Sequence, residues 1–152
     1  MQPSSNKTIE QPARPGASLA KEERLTRKKL ISEVYDAGES IKTPAIVMVY
    51  RFLELPEQVP VQAMFTVSKR IFKRAHDRNR IKRLLREAYR KQKQLIYEPL
   101  IHQQKQVAIF FIFTGKQMPN YAYVHGKISE VLKRFKQQLN TNNNNGLEKN
   151  NE

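Results

Sequence analysis

The feature that most constrains the fold of this chain is an uninterrupted apolar run of strand length, VAIFFIFT at residues 107–114. A short continuous apolar run is typical of a strand that is buried on both faces. We therefore predict a central strand here. Phe110, Phe111 and Phe113 are interpreted as core residues rather than as an exposed platform for stacking bases.

Helical and extended patterns alternate around this strand. Apolar residues at helical spacing predict helices, and short β-branched runs predict strands. The predicted elements are, in order, a helix over 25–37 ended by Gly38, strands over 45–53 and 61–68, a helix over 77–96 with Pro99 beyond its end, the strand over 107–114, and a helix over 121–139. The two earlier strands flank a turn with two prolines and are predicted to form a hairpin. This order indicates an α/β or α+β sandwich, with helices packed on one small sheet.

The two ends of the chain differ from its middle. Residues 1–18 are polar and contain three prolines, and residues 140–152 are an Asn-rich tract of low complexity. Segments that bury little apolar surface cannot offset the entropy of ordering the chain. We predict a disordered extension at 1–18, a folded body at 19–139 and a disordered tail at 140–152.

The charge of the chain restricts its partners. The sequence carries 28 Lys and Arg against 14 Asp and Glu, a formal net charge of +14. Such a protein is attracted to polyanions through counterion release, which leaves RNA, DNA and anionic membranes as candidate partners. No apolar run is long enough to span a bilayer and the first residues lack a signal-peptide pattern, so we expect a cytoplasmic protein.

Much of this charge falls on one predicted helix. Arg78, Lys82, Arg86 and Arg90 recur every four residues, and the opposite face carries Ile81, Leu84, Leu85 and Ala88. Like charges at this spacing destabilise a helix by roughly 0.2–0.5 kcal/mol per pair, so an external anion is expected to compensate. The planar fork of Arg suits phosphate in particular. Asp77 is the predicted N-cap.

No catalytic or metal-binding constellation is predicted. The chain has no cysteine, which excludes disulfides, Cys-based zinc sites and thiol nucleophiles. His76, His102 and His125 show no metal-ligand spacing. The carboxylates form no pair that could be placed in one site, and no nucleophile has an evident base.

The residues around the basic helix resemble the signature of the bacterial ribonuclease P protein family. Val67-Ser68-Lys69 is followed by Ala75 and by RNRIKRLLRE at residues 78–87, similar to the family's V-S-K strand end, small loop residue and R-N-R-x-K-R helix. VYDAG at residues 34–38 is similar to the V-[FY]-x-x-G end of the family's first helix. The resemblance covers about residues 19–139.

The resemblance implies a fold, a function and partners. The fold is α+β, a two-layer sandwich of a four-stranded sheet flanked by three helices in the order α-β-β-β-α-β-α. The function is that of the protein subunit of the ribonuclease P endoribonuclease, which assists removal of the 5′ leader from precursor tRNA. Catalysis is expected to reside in the RNA subunit, with Mg²⁺ on that RNA and no cofactor bound directly by the protein. The expected partners are the catalytic RNA and precursor tRNA, without a membrane or an evident protein partner.

The resemblance also assigns candidate site residues. Residues expected to contact the catalytic RNA are Lys73, Arg74, Arg78, Asn79, Arg80, Lys82, Arg83, Arg86 and Arg90. Residues expected to bind the leader, in a cleft between the first helix and the sheet, are Ile31, Tyr35, Tyr50, Ser68 and Lys69. Tyr35 is the stacking candidate. Ile31 replaces an aromatic residue that is usual in the family, and Tyr50 is the residue expected to compensate.

Two other classes of function remain open at this point. A basic ribosomal or RNA-chaperone protein would share the composition, but it has no need of the spaced signature or of a cleft. A DNA-binding regulator would also be basic, but the element before the basic helix is a strand rather than the first helix of a helix-turn-helix. Preference for duplex DNA over structured RNA would distinguish that class.

Overall fold

The structure, a computed structural model, describes residues 7–12 and 19–150, with side chains up to residue 141. A 3₁₀ turn at Lys21–Glu23 precedes the larger elements. Within the described ranges these are α1 (Lys28–Ala37), β1 (Glu39–Lys42), β2 (Ile46–Phe52), β3 (Val61–Val67), α2 (Ala75–Gln92), α3 (Gln94–Gln103), β4 (Val107–Phe113) and α4 (Tyr121–Asn150). The α+β class and the four-stranded sheet are confirmed, whereas α3 is a further helix beyond the three expected.

The sheet has the strand order β1-β2-β4-β3, so the apolar run does form an interior strand, as predicted. β4 pairs antiparallel with β2 and parallel with β3. The predicted hairpin between β2 and β3 is therefore wrong, because β4 lies between them. The hairpin that the structure contains joins β1 and β2 through Thr43, whose amide donates to the Ile46 carbonyl (2.9 Å).

Helices cover both faces of the sheet. Alternate strand residues such as Met48 and Phe111 form one apolar cluster with α2, α3 and α4. Their neighbours Val49 and Phe110 form a smaller cluster with Val34 of α1 on the opposite face. The expected two-layer sandwich is thus extended by α1, which covers part of the second face. Phe110, Phe111 and Phe113 are buried, as predicted.

The long basic helix predicted over 77–96 is broken at Lys93. The Lys93 ammonium lies 2.7 Å from a carboxylate oxygen of Glu23, and both side chains are 1% exposed. Tyr97 donates to the same oxygen (2.8 Å), and burial raises the pKa of its hydroxyl well above the ordinary value. The helix is thus interrupted at the residue whose side chain is buried, and Pro99 lies within α3 instead of beyond a helix end.

Gly38 ends α1, as predicted, because the backbone turns sharply against neighbouring atoms. A Cβ at this position would clash with the Val34 carbonyl oxygen and would lie 2.8 Å from the Val49 side chain. β1 begins at the next residue. The glycine thus allows α1 to lie directly on β2.

Parts of the segments predicted to be disordered, at residues 1–18 and 140–152, have described structure. Ile9 is buried, and its amide and carbonyl pair with the side-chain amide of Gln104 at 2.9 and 3.1 Å. Residues 1–6 and 13–18 of the predicted extension lie outside the described residues. At the other end the backbone of α4 continues past the predicted end at Leu139 to Asn150. The division into disordered ends and a body at 19–139 stays a prediction.

Candidate nucleic-acid interface

One side of α2 anchors the helix and the other presents cations. Ile81, Leu85, Ala88 and Tyr89 are completely buried. The exposed side carries Asn79, Arg80, Arg83 and Arg86, which we call the basic face. Sequence spacing predicted a buried and a charged side of this helix, because residues three and four apart share a helix face. Of the predicted stripe only Arg86 is exposed, whereas Arg78, Lys82 and Arg90 are half-buried. The basic face holds four of the nine residues predicted to contact a catalytic RNA.

Arg90 differs from the other cations of α2 because it is held by an acidic neighbour. Its Nε donates to Glu87 (3.0 Å), and a second guanidinium nitrogen lies 2.5 Å from the other carboxylate oxygen. The hydrogen bond from Arg90 holds the pKa of the Glu87 carboxyl below its usual value. This bidentate pair occupies donors that the sequence-based interpretation assigned to RNA.

Arg78 fastens the loop that precedes α2. Its guanidinium donates to the carbonyls of Phe72 (2.8 Å) and Lys73 (2.9 Å). The buried Phe72 ring lies 6.0 Å from that of Phe113, which anchors the loop to the sheet. Lys73 and Arg74 stay exposed next to the basic face. The structural part played by Arg78 was missed, since its partners are backbone carbonyls that sequence spacing does not reveal.

The first turn of α2 also differs from the prediction. The helix begins at Ala75, and Arg74 is the residue before it. Asp77 therefore lies inside the first turn and is not the N-cap. A carboxylate there still interacts favourably with the helix dipole.

A half-exposed row of residues crosses the sheet beside α1. Lys42 is in register with Val47, Val47 with Ile112, and Ile112 with Thr66. These four residues, which we call the open strip, are on the face opposite the main core, and none is buried. Ser68 and Lys69 follow β3 at the end of the strip, and Ser68 is half-buried. Strand alternation could have found this strip only once the strand order was known.

Two residues of α1 border this side of the sheet. Ile31 is half-buried and packs with the smaller apolar cluster. Tyr35, one turn later, is 80% exposed, the largest exposed fraction among the large apolar side chains described. Ile31 and Tyr35 therefore lie on α1, and Ser68 and Lys69 follow β3 at the end of the open strip. Their part in binding a leader stays a prediction.

Tyr50 is not part of this cleft. It is 3% exposed and lies on the opposite face, with its ring 4.9 Å from that of Phe135 in α4. Its hydroxyl bonds to Glu39 (2.9 Å) and to Gln138, and burial raises its pKa above the ordinary value. The expectation that Tyr50 replaces the missing aromatic in the cleft is therefore wrong. Successive residues of a strand point to opposite faces of the sheet, so Val49 faces α1 and Tyr50 faces α4.

Three glutamates form ion pairs within the fold. Glu23 binds Lys93, Glu87 binds Arg90, and Glu130 binds Arg134 at 3.2 Å. Over residues 7–12 and 19–150, no group of three or more His, Cys, Asp or Glu has the arrangement of a metal site. None of the helices in that part of the chain combines the length and apolarity of a membrane span.

Comparison with known proteins gives one family. A family model described as Ribonuclease P matches residues 19–136. The chain is 34% identical over 122 residues to the ribonuclease P protein component of Porphyromonas gingivalis, covering 80% of this chain and 88% of the relative. It is 31% identical over 127 residues to that of Chlorobaculum tepidum, covering 78% and 82%.

Solved structures share the fold. The RNase P protein from Thermotoga maritima aligns with a TM-score of 0.59 and 24% identity, over 74% of this chain and 96% of that one. The Staphylococcus aureus RNase P protein aligns with a TM-score of 0.57 and 20% identity, over 73% and 93%. At these identities the likeness supports the architecture alone.

Proposed function

Since this chain belongs to the ribonuclease P protein family, we propose that it is the protein subunit of a ribonuclease P ribonucleoprotein. In this role it binds the catalytic RNA and the 5′ leader of precursor tRNA, and it assists the endonucleolytic cut that produces the mature 5′ end. The observation that carries the proposal is the basic face of α2, which presents guanidinium groups of one sign on a helix anchored in the core.

The basic face is suited to the phosphates of a folded RNA. Asn79, Arg80 and Arg83 are exposed on it. Neutralising phosphates with Arg releases counterions, and the planar fork binds phosphate oxygens bidentately. The loop before α2, fastened by Arg78, extends the same surface with Lys73 and Arg74. We assign this surface to the catalytic RNA.

The side of the sheet that carries α1 is suited to a single strand. Tyr35 offers an exposed ring, and the open strip offers a half-apolar floor with Lys42 at one end and Ser68 and Lys69 near the other. Base–aromatic stacking contributes roughly 1–3 kcal/mol per base and is insensitive to sequence. That tolerance suits a protein that accepts many different leaders. We assign this surface to the leader.

The chemistry of cleavage is assigned to the RNA subunit. The carboxylates of Glu23, Glu87 and Glu130 stabilise the fold through the ion pairs described above. Mg²⁺ would be held by phosphates of the RNA. The protein would then act by neutralising RNA charge and by holding the leader, which lowers the Mg²⁺ concentration needed for activity.

The test is cleavage of a precursor tRNA by the catalytic RNA of the same source at low Mg²⁺, with and without the protein. The protein should restore correct 5′ cleavage, and Arg80→Ala with Arg83→Ala should weaken this effect. Arg78 is left intact because it fastens the loop. Lys133→Ala with Lys136→Ala removes the same charge from exposed positions of α4 and should act like the native protein.

Two outcomes would contradict the proposal. A protein that binds the RNAs and never changes cleavage fits a ribosomal or RNA-chaperone role instead. A protein that prefers duplex DNA to both RNAs fits a DNA-binding regulator. Binding to a DNA duplex of matched length, measured at the same salt concentration, therefore accompanies the cleavage assay.

A further inference from the structure

The segment before α1 wraps around the edge of the sheet next to β3. The Leu25 amide donates to the Ala63 carbonyl (3.0 Å), and the Gln62 side chain donates to the Glu22 carbonyl (3.0 Å). Leu19 is buried in the cluster on one face of the sheet, and Leu25 is buried in the cluster on the other. Arg24, which forms a parallel bridge with Ala63, is therefore fixed on the edge between the two faces.

Three cations meet at this edge. Arg24 from the wrapping segment and Lys82 and Arg86 from α2 line one pocket of about 360 Å³. None of the eight residues that line the pocket is acidic. The other five lining residues are apolar: Leu19, Leu25, Ala63, Met64 and Phe65. Basic groups thus converge from two distant parts of the chain on a pocket with apolar walls.

The side chains of this pocket are positioned by other contacts. A guanidinium nitrogen of Arg24 donates to the Leu19 carbonyl (3.1 Å), which uses one of its five N–H donors. The guanidinium carbon of Arg86 lies 5.8 Å from the ring centroid of Phe65. That ring is stacked on Phe111 at 5.5 Å, so the platform beneath Arg86 belongs to the rigid core.

The electrostatics of the pocket leave positive charge without a described acidic neighbour. Burial, followed by the charges of Arg24 and Arg83, lowers the pKa of Arg86. The carboxylate of Glu23, next to Arg24 in sequence, is turned into the interior toward Lys93. Cations held together at a partly desolvated place are stabilised by an anion, and a guanidinium fork fits a phosphate group.

We propose that Arg24, Lys82 and Arg86 form a binding site for one phosphodiester group of an RNA strand at the β3 edge. The inference rests on the proposed function and adds Arg24 and the pocket to it. β3 lies between the basic face and the open strip, because Arg86 approaches one face of the strand and Thr66 lies on the other. The pocket thus connects the two RNA-binding surfaces around the edge of the sheet.

The experiment measures the binding of two probes, a single-stranded oligouridylate and the catalytic RNA, over a series of NaCl concentrations. Arg24→Gln should lower the affinity for the probe that occupies the pocket by about tenfold, since a hydrogen bond to a charged group is lost. The slope of log affinity against log salt should fall by about 0.7 for a single strand or 0.9 for a duplex region. The probe that responds identifies the source of the phosphate.

The matched control is Arg27→Gln, which removes the same charge three residues away from an exposed position in front of α1. It should change affinity by less than about twofold, because Arg27 does not line the pocket and keeps only a long-range attraction to the RNA. Lys82→Gln tests the same pocket from α2 without touching the wrapping segment. Equal effects of Arg24→Gln and Arg27→Gln, or no effect of Lys82→Gln on either probe, would overturn the site.

A double-mutant cycle separates a shared phosphate from independent charges. If Arg24 and Arg86 bind one phosphate, the double variant should lose less affinity than the sum of the single losses, whereas Arg27 with Arg86 should be additive. If both pairs are additive while Arg83→Gln still weakens binding of the catalytic RNA, the pocket is refuted and the proposed function stands. If Arg83→Gln also has no effect, the proposed function fails as well.

Discussion

The basic face of α2 and the open strip of the sheet differ in the forces by which we propose that each binds RNA. The first is a convex row of exposed guanidinium groups, Arg80 and Arg83 among them. The second is a half-buried row with Val47 and Ile112 at its centre, on the sheet face that also carries α1 with its exposed Tyr35 ring. Binding to the first should depend steeply on salt, and binding to the second should depend mainly on stacking.

The contrast suggests a division of labour within a small domain. Phosphate contacts position a folded RNA without reading its sequence, and stacking holds an unpaired strand of any sequence. The two surfaces are joined by the segment that wraps around β3, and this segment is held by the buried pair between Glu23 and Lys93. Variants can change one surface alone, or they can remove the ion pair that holds the connecting segment.

The largest expected effect is a loss of stability when the ion pair that holds the connecting segment is broken. Lys93→Met leaves the Glu23 carboxylate buried without its cation, which should lower the free energy of unfolding by about 3–5 kcal/mol. Urea denaturation followed by circular dichroism measures this loss. Lys91→Met is the matched control, because Lys91 is exposed and its ammonium lies as far as 3.9 Å from the Glu87 carboxylate. This variant should lower the free energy of unfolding by less than about 1 kcal/mol. Equal losses of unfolding free energy in the two variants would show that the buried pair does not hold the connecting segment.

The next effect concerns the basic face alone. Arg80→Ala with Arg83→Ala should reduce the affinity for the catalytic RNA by roughly 1–3 kcal/mol for each charge-assisted contact, with a salt slope lower by about 2. Binding titrations at several NaCl concentrations measure both quantities. An unchanged slope would mean that these residues do not meet phosphates.

A smaller effect is expected from the cleft. Tyr35→Ala should weaken binding of a single-stranded leader by about 1–3 kcal/mol and leave the salt slope unchanged, because the lost contact is a stacked ring. Tyr35→Phe keeps the ring and should bind like the native protein. Since the side chain is 80% exposed, neither variant should alter the unfolding midpoint measurably. A changed slope for Tyr35→Ala would refute the stacking role.

The smallest effect tests the corrected position of Tyr50. Tyr50→Phe removes the hydroxyl that bonds to Glu39 and Gln138, and it should lower the free energy of unfolding by about 0.5–1.5 kcal/mol. Leader binding should stay the same, because the ring lies under α4. Urea denaturation of this variant measures the loss of stability, and titration with a single-stranded leader measures its affinity. A weakened leader complex at unchanged stability would place Tyr50 back in the cleft.

The sequence predicted what depends on local periodicity. The apolar run at 107–114, the opposed faces of α2 and the end of α1 at Gly38 all follow from residue spacing, and the structure contains each of them. The family resemblance added the number of strands. Strand parity alone does not say which face of β2 meets α4, so Tyr50 was assigned to the wrong side of the sheet.

What the sequence did not predict depends on partners far along the chain. The parallel pairing of β3 with β4, which excludes the predicted hairpin, brings together strands separated by two helices. The buried Lys93, at which the helix is interrupted, binds Glu23, 70 residues earlier. Arg24 likewise joins Lys82 and Arg86 only because the preceding segment wraps around β3. No local pattern carries these relations.

The most direct test of the division of labour is a crossed experiment on the reconstituted ribonucleoprotein. The affinity for precursor tRNA with and without its leader is measured at saturating protein, for Arg80→Ala with Arg83→Ala and for Tyr35→Ala. We predict that the α2 variant needs more protein to saturate but keeps the affinity gained from the leader, and that Tyr35→Ala saturates normally but loses that gain. Equal loss of both properties in both variants would contradict two separate surfaces.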